Sequence, residues 1–167
     1  ANALYALGLR RGDRLMYWGP MSLREIDVFF ATQKLGAVFV PFKDSLSQRE
    51  AAAQVHYIRP AMVVGDATLA DRLSAIEKSE RVRVATVNGR GPGLDLDGAF
   101  ERASDRPLAI HVDDEDIHAI FLTSGSTGEP KGVMLSHGNL AFNAWATWTS
   151  FGNPRDERRS GLLPWSH

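Results

Sequence analysis

The chain has 167 residues, 44% of them apolar, which is enough for one buried core and too few for two full domains. Nineteen Lys plus Arg stand against twenty Asp plus Glu, with no block of five like charges, so the footprint of a nucleic-acid binder or of an anionic-membrane binder is excluded. The absence of cysteine excludes disulfide frameworks, thiolate catalysis and zinc–thiolate sites and fits a cytoplasmic protein. No apolar run reaches the length of a membrane span, and the first residues do not read as a targeting segment. The first residue is not Met and the last six stop in an apolar, motif-like stretch, so truncation at both ends is expected.

In chain order, short apolar runs alternate with helix-period segments, the sequence form of repeated βα units. Residues 13–18 read as a first strand. Ser22-Leu-Arg-Glu25 then predicts a capping box, with Ile26, Phe29 and Phe30 as the buried stripe of a helix, Lys34 in its last turn and Gly36 as its stop. Residues 37–42 form a wholly apolar strand. A second box, Ser47-Gln-Arg-Glu50, opens a helix with Val55 and Ile58 inward, which Pro60 ends. A strand over 61–64, a helix with Leu69, Leu73 and Ile76 on one face, and a strand over 82–87 follow. Asn88-Gly-Arg-Gly-Pro-Gly93 is a loop, residues 96–102 a short helix, and the acidic segment 113–116 leads into a strand over 117–122. The expected fold is therefore α/β, a mainly parallel sheet flanked by helices, in which ligands sit beyond the carboxyl ends of the strands.

The segment Thr123-Ser-Gly-Ser-Thr-Gly-Glu-Pro-Lys131 falls at that position. Its glycines let backbone N–H groups turn toward phosphate oxygens, its hydroxyls add short donors, and Lys131 brings a full positive charge. An ordinary Ser/Gly surface turn is the competing reading. Against it stand the apolar strand before the loop, Pro130-Lys131-Gly132 at its end, and a short strand over 133–136 leading to a helix N-cap at Ser136. A Walker loop requires Gly, four residues, then Gly-Lys-Ser/Thr; counted from Gly125, Pro130 occupies the second glycine position and Gly132 follows Lys131, so that reading fails twice.

With these residues in view, the segment resembles the signature of the adenylate-forming superfamily, which includes acyl-CoA synthetases, luciferases and peptide-synthetase adenylation domains. Lys34-Leu-Gly-Ala-Val-Phe-Val-Pro41, the strand at 62–66 and Leu163-Pro-Trp-Ser-His167 are similar to further segments of that family, so the resemblance covers nearly the whole chain. It implies part of an N-terminal AMP-binding domain over 1–167. It also implies a reaction: a carboxylate attacks the α-phosphate of ATP, pyrophosphate leaves, and coenzyme A captures the acyl-adenylate.

Carried over residue by residue, Thr123, Ser124, Gly125, Ser126, Thr127, Gly128 and Lys131 would hold the β- and γ-phosphates, and Thr123 would also touch Mg²⁺. Lys131 and His167 are the catalytic candidates, His167 matching the histidine of the family's Leu-Pro-x-x-His segment. That segment most resembles the long-chain branch, which implies a fatty acid as the carboxylic acid. An aryl-acid or amino-acid adenylation domain shares the loop, and a non-catalytic nucleotide- or anion-binding module is the reading from another class. The family's later motifs, Tyr-Gly-x-Thr-Glu and Thr-Gly-Asp, and its catalytic C-terminal lysine have no counterpart here, so the chain alone is expected to be inactive.

Elsewhere, His56, His111, His118 and His137 lack metal-ligand spacing and read as surface or packing residues. Trp145 and Trp148 are expected to pack in the core beside a helix whose inward face is Leu140, Ala144 and Phe151. The acidic segment 113–116 reads as a solvated lead-in to its strand rather than a Mg²⁺ site.

Overall fold

The computed structural model describes residues 1–123 and 131–151. Its elements run α1 (Asn2–Ala6), β1 (Arg14–Trp18), α2 (Leu23–Leu35), β2 (Val38–Pro41), α3 (Gln48–Ile58), β3 (Met62–Asp66), α4 (Ala70–Glu80), β4 (Arg83–Val87), β5 (Leu94–Asp95), α5 (Leu96–Arg102), β6 (Ile117–Thr123), β7 (Lys131–Ser136) and α6 (His137–Phe151), with a 3₁₀ turn at Ala67–Leu69. The seven strands make one sheet in the order β5-β4-β3-β1-β2-β6-β7. Six run parallel, and β7 turns back antiparallel to β6.

Alternation along β1 explains the layering, because successive side chains of a strand face opposite ways. Leu15 and Tyr17 join a core with Val28, Ala31, Leu35, Phe39 and Val64, under α1, α2 and α5. Met16 and Trp18 join the other core with Ala51, Val55, Leu73 and Ile76, under α3 and α4. Burial on both faces is why these strands read as unbroken apolar runs.

The two Ser…Glu segments differ. At α3 the box is complete: Ser47 Oγ accepts the Glu50 N–H, and Glu50 Oε2 accepts the Ser47 N–H at 2.8 Å. At α2 only half forms, with Ser22 Oγ accepting the Glu25 N–H at 3.2 Å while the Glu25 side chain is buried instead. The stripe of α2 is also rotated from expectation. Val28, Ala31 and Leu35 are buried with Thr32, Ile26 and Phe29 are half-buried, and Phe30 is 51% exposed. The small side chain of Ala31 allows close approach to the sheet where a phenylalanine would not fit. Gly36 closes the helix in the left-handed conformation, φ 65°, as expected of a glycine stop.

The helix α6 departs most from expectation. Leu140 is only half-buried, Ala144 is exposed, and Trp145 and Trp148 are 57% and 56% exposed rather than packed in the core; the Phe151 side chain lies outside the described residues. The helix follows directly from β7, the edge strand of the sheet, so among the described residues no further strand lies beyond β7 to extend the sheet beneath its apolar side chains. Among the described residues no helix is long and apolar enough to cross a membrane.

One contact fixes the spacing of α4 over the sheet: a Cβ added to Gly65 on β3 would collide with the side chain of Leu73, itself fully buried. Gly65→Ala is therefore expected to destabilise the fold by about 1–3 kcal/mol in urea unfolding, as overpacking does. The same substitution should cost less in a Leu73→Ala background, where the space is open.

Candidate functional site

Because β6 is parallel to β2, its last residue, Thr123, reaches the carboxyl edge of the sheet, and β7 starts from that edge with Lys131. The antiparallel register pairs Ile120 with Met134, Leu122 with Gly132 and Thr123 with Lys131. Residues directly opposite in such a ladder lie roughly 5 Å apart at Cα. The two ends of the phosphate-loop segment are thus brought together, and Thr123 Oγ1 donates to the Lys131 carbonyl oxygen at 3.3 Å. Both residues are exposed. Ser124, Gly125, Ser126, Thr127, Gly128 and His167 lie outside the described residues.

At its base the hairpin is closed by a different kind of contact. His118 on β6 and His137, the first residue of α6, have ring centroids 4.8 Å apart, and His118 stands edge-on to Phe29 of α2 at 4.7 Å. His118 is fully buried, and among the described residues neither of its ring nitrogens has a hydrogen-bond partner. Burial, with a smaller contribution from His137, pushes its ionisation down from 6.5 to about 4. Burial also lowers His137, against the opposing pull of Asp116 and Asp114. His56 and His111 are exposed, as expected. The turn before β6 is held by ion pairs, Arg11 Nη2 lying 2.8 Å from Asp113 and 2.7 Å from Asp116. Among the described residues no three His, Cys, Asp or Glu side chains are grouped to hold a metal ion.

A second polar group at the same edge was not anticipated. Tyr17 Oη lies 3.2 Å from Ser22 Oγ. Asp66, at the end of β3, accepts the Thr68 N–H and hydroxyl on Oδ1 and Asn88 Nδ2 on Oδ2, at 2.6–2.9 Å. Burial pushes the Asp66 carboxyl up, but these three hydrogen bonds outweigh it and hold it below the usual carboxylate range. Glu25 has no such support: burial alone pushes its carboxyl up to about 7, and burial likewise takes the Tyr17 phenol up to about 12, opposed by the Ser22 hydrogen bond. The sequence signal was present in Ser22…Glu25, where a cap and a buried carboxylate share one pattern.

Two open clefts lie away from this edge. One, of about 610 Å³, is lined by Ala1, Lys34, Arg106 and Ile110; the other, of about 560 Å³, lies beside Arg11, Arg14, Ile120 and Met134. Neither touches Thr123 or Lys131. In parallel sheets ligands sit at the carboxyl ends, so the hairpin takes precedence over cleft size.

The model of the AMP-binding enzyme family matches residues 1–167. The chain belongs to that family. Among its relatives as an AMP-binding enzyme, a feruloyl-CoA synthase of Amycolatopsis sp is 32% identical over 167 residues, all of this chain and 32% of the relative. A long-chain-fatty-acid–CoA ligase of Mycobacterium tuberculosis (strain CDC 1551 / Oshkosh) is 30% identical over 149 residues, 88% of this chain and 29% of the relative. The crystal structure of ATP-bound MatB from Rhodopseudomonas palustris is 33% identical with a TM-score of 0.79, covering 89% of this chain and 29% of that one. The chain thus spans about a third of the length of the curated relatives it matches.

The buried Glu25 carboxyl has a direct consequence for this AMP-binding fold. A carboxyl raised from 4.5 to about 7 keeps its proton in the folded chain over a range where the unfolded chain has lost it. Stability is therefore lost as pH rises through that window. Glu25→Gln should remove the slope, gaining up to about 3 kcal/mol on wild type between pH 4.5 and 8 in urea unfolding. Equal pH dependence in the two proteins would show that the Glu25 carboxyl is solvated.

Proposed function

We propose that this chain is the phosphate-binding part of the N-terminal domain of an acyl-CoA synthetase. In the reaction, a carboxylate oxygen attacks the α-phosphorus of ATP, the bond to the bridging oxygen breaks, pyrophosphate leaves, and the thiol of coenzyme A then displaces AMP from the acyl-adenylate. The observation that carries this reading is the pairing of Thr123 with Lys131 at the carboxyl edge of the sheet, which brings the two ends of the segment between them together.

The loop's task is electrostatic, since negative charge builds up on the departing pyrophosphate and desolvated charge needs preorganised donors. Ser124, Gly125, Ser126, Thr127 and Gly128 supply backbone N–H groups and hydroxyls, and Lys131 supplies a cation that is exposed at the loop's end. Thr123 fits Mg²⁺ by the chemistry of its donor: its hydroxyl proton is directed to the Lys131 carbonyl, which leaves the oxygen lone pairs for a hard cation. Mg²⁺ would supply charge neutralisation between the β- and γ-phosphates. His167 is assigned to the neighbourhood of the acyl group. ATP and coenzyme A are cytoplasmic metabolites, and there we place the enzyme.

We favour a fatty acid as substrate, from the Leu163-Pro-Trp-Ser-His167 segment and the fatty-acid ligase among the relatives. An aryl acid is the second reading, favoured by the feruloyl-CoA synthase that matches over the whole chain.

Lys131→Ala, in an enzyme of the relatives' full length containing this segment, should lower acid-dependent ATP–pyrophosphate exchange by about 10²–10³-fold, the scale for losing one preorganised donor to a developing anion. A screen of fatty and aryl acids in the same assay decides the substrate. Pyrophosphate binding without exchange on any acid would establish a non-catalytic nucleotide module instead. The 167-residue chain alone should show no exchange.

A further inference from the structure

The phosphate-loop hairpin has a tip, where Thr123 and Lys131 meet, and a base, where Ile117 pairs with Ser136. A ladder is bulged between Ile117 and Ala119, so hydrogen bonding is irregular where the hairpin begins. The contacts that hold the base are the tilted ring contact of His118 with His137, at 54° between planes, and the edge-on contact of His118 with Phe29 on α2. These rings touch strand β6, helix α6 and helix α2 together.

Resting on the phosphate-loop reading above, we infer that His118 and His137 are positioning residues for that loop: as a neutral pair they lock the base of the β6–β7 hairpin onto α2, and ionisation of His118 releases it. The choice of histidine is the clue. An imidazole that is fully buried with both nitrogens unpartnered among the described residues is less stable than a hydrocarbon ring of similar shape. What the imidazole adds is a second charge state. Among the described residues the one charged group acting on His118 is His137, and its other ring neighbour is Phe29, whereas Asp114 and Asp116, from the turn before β6, act on His137. Asp116 is itself engaged by Arg11. Among the described residues no carboxylate therefore compensates a charge on His118.

The sign follows from the lowered ionisation, from 6.5 to about 4. The docked hairpin tolerates only the neutral ring, so docking is undisturbed above pH 6.5 and weakens as pH falls toward 4. Between pH 7 and pH 5 the ratio of released to docked hairpin should rise about twentyfold.

Two measurements on the 167-residue chain test this, with His118→Phe keeping an aromatic ring in these contacts without a titrating group. Calorimetric titration with inorganic pyrophosphate at pH 7 and pH 5 should show wild type losing affinity beyond the loss in His118→Phe, by at most about twentyfold, the change in the released-to-docked ratio; protonation of pyrophosphate itself cancels in the comparison. An equal loss in both overturns the proposal. Amide hydrogen exchange, corrected for intrinsic rates, reads the hairpin without ligand: β6 and β7 should lose protection about twentyfold from pH 7 to pH 5 in wild type and hold it in His118→Phe, with β1 and β3 unchanged. If pyrophosphate binds neither protein, the phosphate-loop reading fails for this chain, and exchange alone decides the histidine clamp. Should His118→Phe fail to fold, His118→Leu takes its place. In wild type alone, ring NMR showing His118 ionised by pH 6 with β6–β7 protection intact would also overturn it.

Discussion

Six strands that all run the same way place every carboxyl end on one edge of the sheet, and the rest of the molecule follows from that constraint. Parallel strands need crossovers, and α2, α3, α4 and α5 supply them by covering the two faces in turn. Burial on both faces leaves polar chemistry only at strand ends. Hence the Tyr17–Ser22 pair, Asp66 with its three hydrogen bonds, and Thr123 all lie at one edge. The single reversal, β7, returns Lys131 to Thr123 with a loop between them whose composition suits an anion.

That edge was legible in the sequence because each signal was local. Ser47…Glu50, Pro60 and Gly36 act within a few residues of themselves, and the structure has α3 and the end of α2 where they point. The strands were legible because two-sided burial leaves an unbroken apolar run. The misreadings share a cause of the opposite kind. Ser22…Glu25 has the form of a capping box, but the Glu25 carboxyl is drawn into the core by the packing of α2, which no spacing rule encodes. Phe29 and Phe30 are the bulkiest residues of α2, yet Ala31 faces inward because the distance from helix to sheet is set by both partners. Trp145 and Trp148 look like core residues, and their exposure depends on α6 lying over an edge strand.

The candidate site was legible in chemistry and only partly in geometry. Composition and spacing separated the loop from a Walker turn, and the register of β6 with β7 gave the result that spacing could not, the meeting of Thr123 and Lys131. The substrate acid is another matter. Relatives of similar identity are named for feruloyl and for long-chain fatty acids, so likeness over this segment does not separate the two acids.

Two groups with opposite demands, uncompensated among the described residues, meet at helix α2. Glu25, in its first turn, resists losing a proton, and His118, packed on its Phe29, resists gaining one. The displacements run in opposite directions, from 4.5 up to about 7 for the carboxyl and from 6.5 down to about 4 for the imidazole. Acidification through the window they share relieves the carboxyl while burdening the imidazole. By linkage the two slopes oppose one another, and the whole fold can show a nearly flat stability profile while its parts do not. The relief falls at the amino end of α2 beside Tyr17, and the burden falls at the base of the hairpin. A fall in pH therefore shifts stability from the base of the β6–β7 hairpin toward the amino end of α2 rather than lowering it everywhere.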